Sequence, residues 1–460
     1  MNNLIKWIWL SDKCGAGSKE FLKLVEKIGS IEDIYAADYE AYSSAGVSER
    51  LSEDLCDKST EKAQKIVNYC QSAKVGILTY DSKDYPASLR SLKNPPAVLY
   101  YIGNLPDFNK SLCIAVVGTR TMSEYGMRAA YKIAYEVAAA GAVVVSGMAL
   151  GIDGIASCAA ISARGKTVAV LGCGIEIAYP KEHKKLRDII RQNGAVITEF
   201  APGTEPRGMN FPIRNRIISG LSQGTVVIDA DKNSGSMITA KNAILQGRDV
   251  YAVPANIDSE NSSGTNSLIR DGAQAVLCGN DIIRNYMYIY RDRINVMKLM
   301  NAEKHSEFDP VAVKNMGIAL RFRPEEPKSD LPDAVAKAER GKRRDASEES
   351  DANDLPAFKP KSAPKAKATE AKAAAKDEVK ATETSAPTPK RSGGDDSAKI
   401  LEKLSEKQRK IFDEMPLDRA VTVDYLTRTG FALGEVISAL TVLEIKGLVA
   451  SLPGALYIRK

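Results

Sequence analysis

The sequence predicts an α/β protein built on a doubly wound parallel sheet, with a small helical domain before the sheet and a winged helix after it. Strand and helix patterns alternate strictly from about residue 79 to 290, and the strand patterns are almost continuously apolar. Apolar strands of this kind are typical of parallel sheets, because helices cover both faces. At 460 residues the chain is long enough for two or three domains.

Residues 1–78 show a helical pattern and predict a small domain of the SAM or helix-hairpin-helix type. An apolar face that includes Phe21 and Leu24 follows a candidate cap at Ser18, and a second helical pattern follows Ser59-Thr60. The turn Ser44–Ser48 allows two interpretations. It could belong to a helix-hairpin-helix that holds a DNA backbone, or to plain helical packing, which we favour.

Residues 79–290 contain six apolar runs that predict strands, separated by amphipathic helical segments such as Tyr125–Ala140 and Glu182–Gln192. Such a sheet is Rossmann-like, and ligands bind outside the carboxyl ends of its strands, where the strand order reverses. The strand candidates are Leu112–Val117, Ala142–Ser146, Thr167–Leu171, Ala195–Thr198, Thr225–Ile228 and Asp249–Ala252.

The remainder of the chain divides into three segments. Residues 291–322 have no clear pattern. Residues 323–399 are rich in Ala, Lys, Glu, Pro and Ser, which predicts a disordered linker, because so few large apolar residues cannot offset the entropy of ordering.

Residues 400–460 predict a winged helix. Helical patterns follow Ser405 and cover Thr422–Arg428 and Gly434–Lys446, and a hairpin pattern, Leu448–Ser451 with Ala455–Ile458, comes after them. The third helix carries two glutamates and a single lysine, whereas a helix that reads a DNA groove is expected to have basic or amide side chains. We therefore expect protein contact or an auxiliary role at least as much as DNA reading.

Composition excludes several classes of protein. The formal charge of +6 is only mildly basic for this length, so charge alone does not indicate nucleic acid. Seven scattered cysteines, no leader pattern and no run long enough for a membrane span predict a cytoplasmic protein without membrane association. The two histidines, His183 and His305, have no partner at metal-ligand spacing, so we expect neither a metal nor a cofactor.

Three predicted loops at strand ends carry residue types that bind phosphate. Glycines allow a backbone to approach a ligand closely, hydroxyls donate hydrogen bonds, and arginine can bind phosphate with two. In the second loop, Asp153 could serve as a general acid or bind a ribose hydroxyl, but we favour a capping role for the helix that follows. The candidates are Gly118, Thr119 and Arg120 in the first loop, Ser146, Gly147 and Gly151 in the second, and Gly235, Ser236 and Thr239 in the third.

The stretch Phe211–Gly220 adds two arginines beside a predicted helix start. Pro212 suits the first position of a helix, where the dipole disfavours nearby cations such as Arg214 and Arg216. A shared anionic ligand explains this placement, and we include Asn215 in the same site. Because residues two apart on a helix point in different directions, one arginine is expected to reach the ligand and the other to form a structural ion pair. The sequence leaves open which is which.

A second basic stretch, Tyr179–Lys185, follows the third strand candidate. It could be a solvated helix face or could contact phosphate through Lys181, and both interpretations stay open. A nucleophile elbow and a P-loop are both missing from the sequence.

These motifs together resemble the DNA-processing protein A (DprA/Smf) family, densely from about residue 80 to 280. The motifs are Tyr85-Pro86, Pro95-Pro96, Gly118–Arg120, Val145–Asp153, Tyr179-Pro180, Phe211–Leu221, Ser234–Ala240, Gly247–Val250, Ala252–Pro254 and Gly264–Ile269. The resemblance implies a non-enzymatic protein that binds single-stranded DNA and loads the RecA recombinase onto it. It also implies a role in natural transformation and a homodimer formed through the Rossmann-like domain. The family's DNA pocket would here use Arg120, Lys181 and the Arg214–Arg216 stretch.

The sequence departs from the family pattern at a few positions, among them His183, where an Asn is frequent, and Ala255, where a Gly is usual.

A rival interpretation is a nucleotide-processing enzyme of the phosphoribohydrolase type on the same broad fold. Those enzymes carry a Pro-Gly-Gly-x-Gly-Thr loop with a catalytic Glu, and the loop Asn233–Ser236 has neither. A third interpretation is an adaptor whose winged helix and linker recruit partners.

Overall fold

The computed structural model describes residues 2–322, 404–416, 421–427, 431, 433–446, 448–452 and 456–459. The chain forms two compact units, Met1–Pro364 and Lys365–Lys460. The predicted linker, residues 323–399, lies outside the described residues.

Six short helices form the N-terminal region, as the helical pattern predicts. Their apolar faces, with Trp7, Leu10 and Leu24 fully or almost fully buried, belong to one continuous core that also contains Tyr100 and Ile114 of the sheet. The N-terminal helices are thus packed onto the sheet. They are α1 Asn3–Cys14, α2 Glu20–Lys27, α3 Ile31–Ala36, α4 Tyr39–Ser44, α5 Glu49–Cys56 and α6 Glu61–Ser72.

The turn between α4 and α5 is closed by side chains of α2. Glu20 accepts hydrogen bonds from the Ser48 amide (2.6 Å) and the Ser48 hydroxyl (3.2 Å), and Lys23 donates to the Gly46 carbonyl oxygen. A helix-hairpin-helix that binds DNA would present its turn amides to phosphate, but the Ser48 amide is already paired with a carboxylate. The contacts therefore favour plain helical packing.

Nine strands form one sheet with the order β1-β2-β6-β5-β4-β3-β7-β8-β9. The pairs from β6 to β9 are parallel, whereas β1 and β2 run antiparallel at one edge. The strands are β1 Gly76–Thr79, β2 Val98–Gly103, β3 Cys113–Val117, β4 Val143–Ser146, β5 Lys166–Val170, β6 Gly194–Thr198, β7 Gly224–Val227, β8 Asp249–Ala252 and β9 Gln274–Ala275. The predicted parallel sheet is confirmed, and each of the six strand candidates matches one of β3 to β8 to within one residue.

Helices cover both faces of the sheet. Ile114 and Val116 of β3 enter one apolar cluster, and Cys113, Ala115 and Val117 enter the other, so the strand is buried on both sides. The covering helices are α7 Ala87–Arg90, α8 Glu124–Ala139, α9 Ile152–Ser162, α10 Lys184–Asn193, α11 Asn210–Leu221, α12 Gly235–Leu245, α13 Ser263–Arg270, α14 Gly279–Ile283, α15 Val296–Ala302 and α16 Pro310–Met316. The last two lie in the stretch 291–322, for which the sequence shows no pattern.

The strand order reverses between β3 and β7. From β3 the chain adds β4, β5 and β6 on one side, and then crosses through α11 to β7 on the other side of β3. The loops after β3 and β7 therefore diverge and leave a crevice at their carboxyl ends.

The second unit is a winged helix, as predicted. Val421 pairs with Tyr457, and Val449 with Arg459, in a three-stranded antiparallel sheet with the order β10-β12-β11. Ile411, Leu426 and Leu440 are fully buried in its core. The elements are α17 Glu406–Asp413, β10 Val421–Thr422, α18 Val423–Thr427, α19 Leu433–Ile445, β11 Val449–Leu452 and β12 Leu456–Arg459. Within the described parts of both units, no helix has the length and apolar character needed to cross a membrane.

Candidate nucleic-acid interface

A cavity of about 580 Å³ opens at the carboxyl ends of β3 and β7, where the strand order reverses. We call it the strand-end cleft. Its walls are the loop after β3, the first turns of α11, and the loop that leads into α12. Of the predicted site residues, it brings together Gly118, Thr119, Arg120, Arg214, Asn215, Gly235, Ser236 and Thr239.

The loop after β3 is held in place by its main chain. The Thr119 amide donates to the Asp229 carbonyl oxygen (2.6 Å), and the Thr119 carbonyl oxygen accepts from the Ile152 amide (3.2 Å). Gly151 has a φ of 76°, and a Cβ there would lie 2.4 Å from the Thr119 oxygen and 2.7 Å from the Arg120 oxygen. Gly151 thus does not line the cleft, but it allows the backbone contact that positions the loop.

Arg120 projects from this loop with its charge available. Its side chain is exposed, and its guanidinium carbon lies 5.3 Å from the centroid of the Phe211 ring. Within the described part of the chain, no carboxylate lies within ion-pair distance of Arg120. A cation over an aromatic face keeps its positive charge, so Arg120 can attract an anion entering the cleft.

Phe211 and Tyr179 form an aromatic wall beside Arg120. Their rings are stacked, with centroids 5.3 Å apart and planes inclined by 28°. In the sequence both residues stand out as members of motifs, but not as site residues. This contact joins the loop after β5 to the start of α11. It could not be predicted from the spacing of the two residues along the chain.

Arg214 lies in the cleft wall, with 4 % of its surface exposed. It donates to the carbonyl oxygens of Gly147 (3.0 Å) and Val170, and its Nε donates to the Asn215 side chain (3.1 Å). Burial lowers the pKa of Arg214 to about 10, so the guanidinium still carries its charge at neutral pH. Neutral oxygens accept its hydrogen bonds, and among the described residues no carboxylate oxygen lies within 4 Å of it, although the nearby Asp153 favours its charged form.

Asp153 acts on the loop after β4. Its carboxylate accepts from the amides of Gly147 (3.0 Å) and Ala149 (3.4 Å), and burial raises its pKa while the nearby Arg214 opposes that shift. The expected helix cap is wrong in detail, because α9 begins at Ile152 with Gly151 at its N-cap. Asp153 stands in the first turn and reaches back to the loop.

Arg216 lies on the other side of α11 and does not reach the cleft. Its Nη2 donates to both carboxylate oxygens of Glu199, each at 2.6 Å, and the two side chains are 5 % and 4 % exposed. Glu199 also accepts from the Gly17 amide (3.1 Å). Since 3.6 residues make one turn, positions 214 and 216 point to nearly opposite sides of the helix. Arg216, a predicted DNA-binding residue, is therefore the structural ion-pair partner and Arg214 is the arginine at the cleft.

The α11 start differs from the expectation in one respect. The helix begins at Asn210, so both arginines lie in its second turn. The effect of the helix dipole falls off after the first turn, so the dipole does not disfavour the two arginines at these positions.

The N-terminus of α12 closes the cleft. Ser234 caps this helix by accepting from the Ser236 amide (3.4 Å), and the two hydroxyls are 2.8 Å apart. Gly235 faces open space, and its carbonyl oxygen accepts from the Asn215 side chain (3.2 Å). An α-helix of eleven residues whose N-terminus faces a cleft favours a bound anion through its dipole.

Three other predicted residues lie outside the cleft. The Ser146 hydroxyl donates to the Val116 carbonyl oxygen (2.8 Å) inside the sheet, so it is not available to a ligand. Gly147 lines a small adjoining cavity and leaves room for Arg214, whose Nη2 would lie 2.6 Å from a Cβ at this position. Lys181 is exposed in a short 3-10 helix that follows Tyr179-Pro180.

His183 is fully buried and ties the same 3-10 helix to two other segments. Its Nδ1 lies 3.1 Å from the Met148 carbonyl oxygen, and its Nε2 accepts from the Ala319 amide (3.3 Å). This pattern assigns the proton to Nδ1, and burial lowers the histidine pKa. Across the described ranges, no group of His, Cys, Asp and Glu side chains could hold a metal ion.

Comparison with known proteins places these features in a family. The family model described as DNA recombination-mediator protein A matches residues 76–287, and that of the DprA winged helix domain matches residues 384–455. The DNA processing protein DprA of Bacillus subtilis is 39% identical over 219 residues, which cover 46% of this chain and 74% of that protein. DprA of Streptococcus pneumoniae is 41% identical over 204 residues, which cover 44% of this chain and 72% of that protein.

A solved structure agrees with this assignment. The X-ray structure of DNA processing protein A from Streptococcus pneumoniae superposes with a TM-score of 0.55 at 32% identity, covering 62% of this chain and 97% of that one. The family match spans every strand of the large sheet and all the loops of the strand-end cleft. The chain belongs to the DprA/Smf family of DNA-processing, recombination-mediator proteins.

Proposed function

We propose that this protein binds single-stranded DNA in the strand-end cleft and delivers the strand to the RecA recombinase. The observation that carries the proposal is the convergence of Arg120, Arg214 and the N-terminus of α12 on one cavity. Neither arginine has a carboxylate oxygen within ion-pair distance among the described residues, and Arg214 stays charged beside Asp153, so both guanidinium groups can attract phosphates.

The aromatic wall favours a single strand over a duplex. Phe211 and Tyr179 are partly exposed beside the cleft, and unpaired bases can stack on such rings, whereas bases in a duplex are already stacked. Charge and stacking do not distinguish one base from another. Binding should therefore tolerate any sequence and weaken steeply with salt.

The cleft is proposed to bind DNA without cleaving it. Its buried carboxylate, Asp153, is occupied by two backbone amides, and His183 is turned to Met148 and Ala319. A general base must reach the proton it removes, and both groups are engaged elsewhere. Release of free base from nucleoside monophosphates would contradict this proposal and support the phosphoribohydrolase alternative.

RecA loading and a homodimer through the sheet domain are proposals that rest on the family. Its description as a recombination mediator and the relatives' role in DNA processing support them. Lys181, exposed beyond Tyr179, is proposed to contact the strand at the rim of the cleft. Sedimentation of the purified protein tests the dimer, and RecA filament formation on DNA coated with a single-strand-binding protein tests the loading.

The central experiment compares Arg120→Ala with wild type in equilibrium titrations of single- and double-stranded oligonucleotides across salt. We expect a single-strand preference in wild type and a large loss of affinity in the variant. The slope of log K against log salt should fall by about 0.7, the value for one phosphate contact on a single strand. Because Arg120 is exposed, its loss should not change the folding stability.

Arg191→Ala is the matched control. Arg191 is an exposed arginine near the end of α10, with a long contact of 3.8 Å to Asp188, and it does not line the cleft. It should bind DNA as wild type does. Equal affinity for single strand and duplex, or an Arg120→Ala variant no weaker than Arg191→Ala, would overturn the proposed function.

A further inference from the structure

A second basic cavity, of about 680 Å³, opens at the opposite end of the sheet. We call it the basal cleft and define it by four exposed cations that line it. They come from separate segments: Arg164 from the turn after α9, Lys166 from the start of β5, Arg293 from the segment before α15, and Lys298 from α15.

The charge of the basal cleft is not neutralised by its surroundings. Among the described residues, none of the four cations lies within 4 Å of a carboxylate oxygen. One carboxylate, Asp292, also lines the cavity, and it lies 3.9 Å from Arg291. Four cations against one acid make this a positively charged concave surface.

The backbone under these cations is firmly placed. The Asn295 amide donates to the Ala140 carbonyl oxygen (2.8 Å), and a Cβ on Gly141 would lie 2.5 Å from the Arg293 carbonyl oxygen. The segment before α15 thus packs directly on the turn between α8 and β4. Arg164 has a φ of 55°, a conformation usual for glycine at a helix end, and its amide donates to Ile161 (2.8 Å).

The lining indicates which ligand chemistry fits. Its apolar members are small, such as Ala138, Ala139 and Ala302, and Tyr135 is partly buried and stacked on Tyr131. Among the described residues that line it, the imidazole of His305 is the one exposed ring, and there is no pocket for the apolar side chains of a peptide. Positive charge is therefore its main feature, and that matches the repeating phosphates of a nucleic-acid backbone.

We propose that the basal cleft binds the sugar-phosphate backbone of the same single strand whose other part occupies the strand-end cleft. This inference rests on the proposed function. Strand β3 connects the two sites, since Ser111 just before it lines the basal cleft and Val117 at its end lines the strand-end cleft. Six residues of extended chain span about 20 Å. A long single strand of DNA that passes around the domain can therefore occupy both clefts, whereas a short one occupies only the strand-end cleft.

The test uses the full-length protein and fluorescence anisotropy with single-stranded oligonucleotides of about 5 and about 30 nucleotides, the first near the lower end of the range of a single site and the second above that range. The variant is Lys166→Glu combined with Lys298→Glu, two exposed positions that are unpaired among the described residues. The matched control is Lys27→Glu combined with Lys83→Glu, which changes the net charge equally at exposed positions outside both clefts.

We expect the basal variant to bind the long strand several-fold more weakly than the control does, with the salt slope reduced by about 1 to 2. Both variants should bind the short strand like wild type. The inference is overturned if the basal variant matches the control on the long strand, if it weakens both lengths equally, or if it weakens only a duplex of the same length. Arg120→Ala separates the two proposals, because the proposed function fails if that variant binds both lengths like wild type.

Discussion

The two sides of α11 each bury an arginine, but the two arginines have different kinds of hydrogen-bond acceptor. On the cleft side, Arg214 is held by the carbonyl oxygens of Gly147, in the loop after β4, and Val170, at the end of β5, and it keeps its charge. On the other side, Arg216 meets Glu199, and the pair also holds the Gly17 amide of the N-terminal region.

The comparison teaches that a buried arginine is not by itself a binding residue. A carboxylate partner cancels the charge and leaves an element of architecture, whereas neutral acceptors fix the guanidinium and leave its field intact. The identity of the acceptor, more than the depth of burial, separates the two roles. Variants on each side of the helix can test this distinction.

The largest effect is expected for Glu199→Ala. Removing one partner of a buried ion pair leaves Arg216 uncompensated, and this typically costs about 3–5 kcal/mol. The free energy of unfolding in urea measures it, while single-strand affinity at a temperature where the protein is folded should be unchanged. Combining Glu199→Leu with Arg216→Met should recover most of the loss. A single variant as stable as wild type would break the comparison.

A smaller loss of stability is expected for Arg214→Leu, but here affinity should fall too. The variant leaves the carbonyl oxygens of Gly147 and Val170 without their buried donor, at a cost of about 1–3 kcal/mol, and removes the nearby positive charge that favours the ionised form of Asp153. Urea unfolding and oligonucleotide titration on the same preparation measure the two effects together. Arg216→Leu is the matched control, which should lose stability and keep affinity. If the two variants lose affinity equally, the sides of α11 are not distinct.

The smallest effect is a pH dependence from His183. Burial lowers its pKa below the ordinary value, so the unfolded chain takes up the proton at a higher pH than the folded protein. Stability should therefore fall as the pH drops below about 6.5, the ordinary pKa of histidine, and be constant just above it. His183→Asn should reduce this dependence, and His305→Asn, at the exposed histidine, serves as the control. Identical pH profiles for all three proteins would exclude His183 as its source.

Much of the fold could be predicted from the sequence, because buried parallel strands leave apolar runs that are easy to see. The exceptions have physical reasons. β1 and β2 lie at an antiparallel edge and are only partly buried, and β9 has just two residues. The helices α15 and α16 are short and acquire their order from packing on α8 and α9.

The site was partly predictable for the same kind of reason. Loops at strand ends must converge, so Arg120 and Ser236 could be placed together before any contact was known. The separation of Arg214 from Arg216 depended on Glu199, a residue that spacing along the chain does not connect to α11. The stacking of Phe211 on Tyr179 is likewise a tertiary contact without a local pattern. The contact of Asp153 with Gly147 is local, but it depends on α9 beginning at Ile152, and helix boundaries are the least reliable part of a sequence-based prediction.

The close approach at Gly151 has a consequence for how this cleft can change. Its outline is set by main-chain packing, because the backbone of Gly151 lies so close to the loop that carries Arg120 that a Cβ does not fit between them. Its attraction for anions is a property of two side chains and a helix end. Substitutions of single charged residues can therefore change the electrostatic potential of the cleft without changing its shape. A side chain at position 151 would do the opposite, because it would displace the backbone and leave every charge in place.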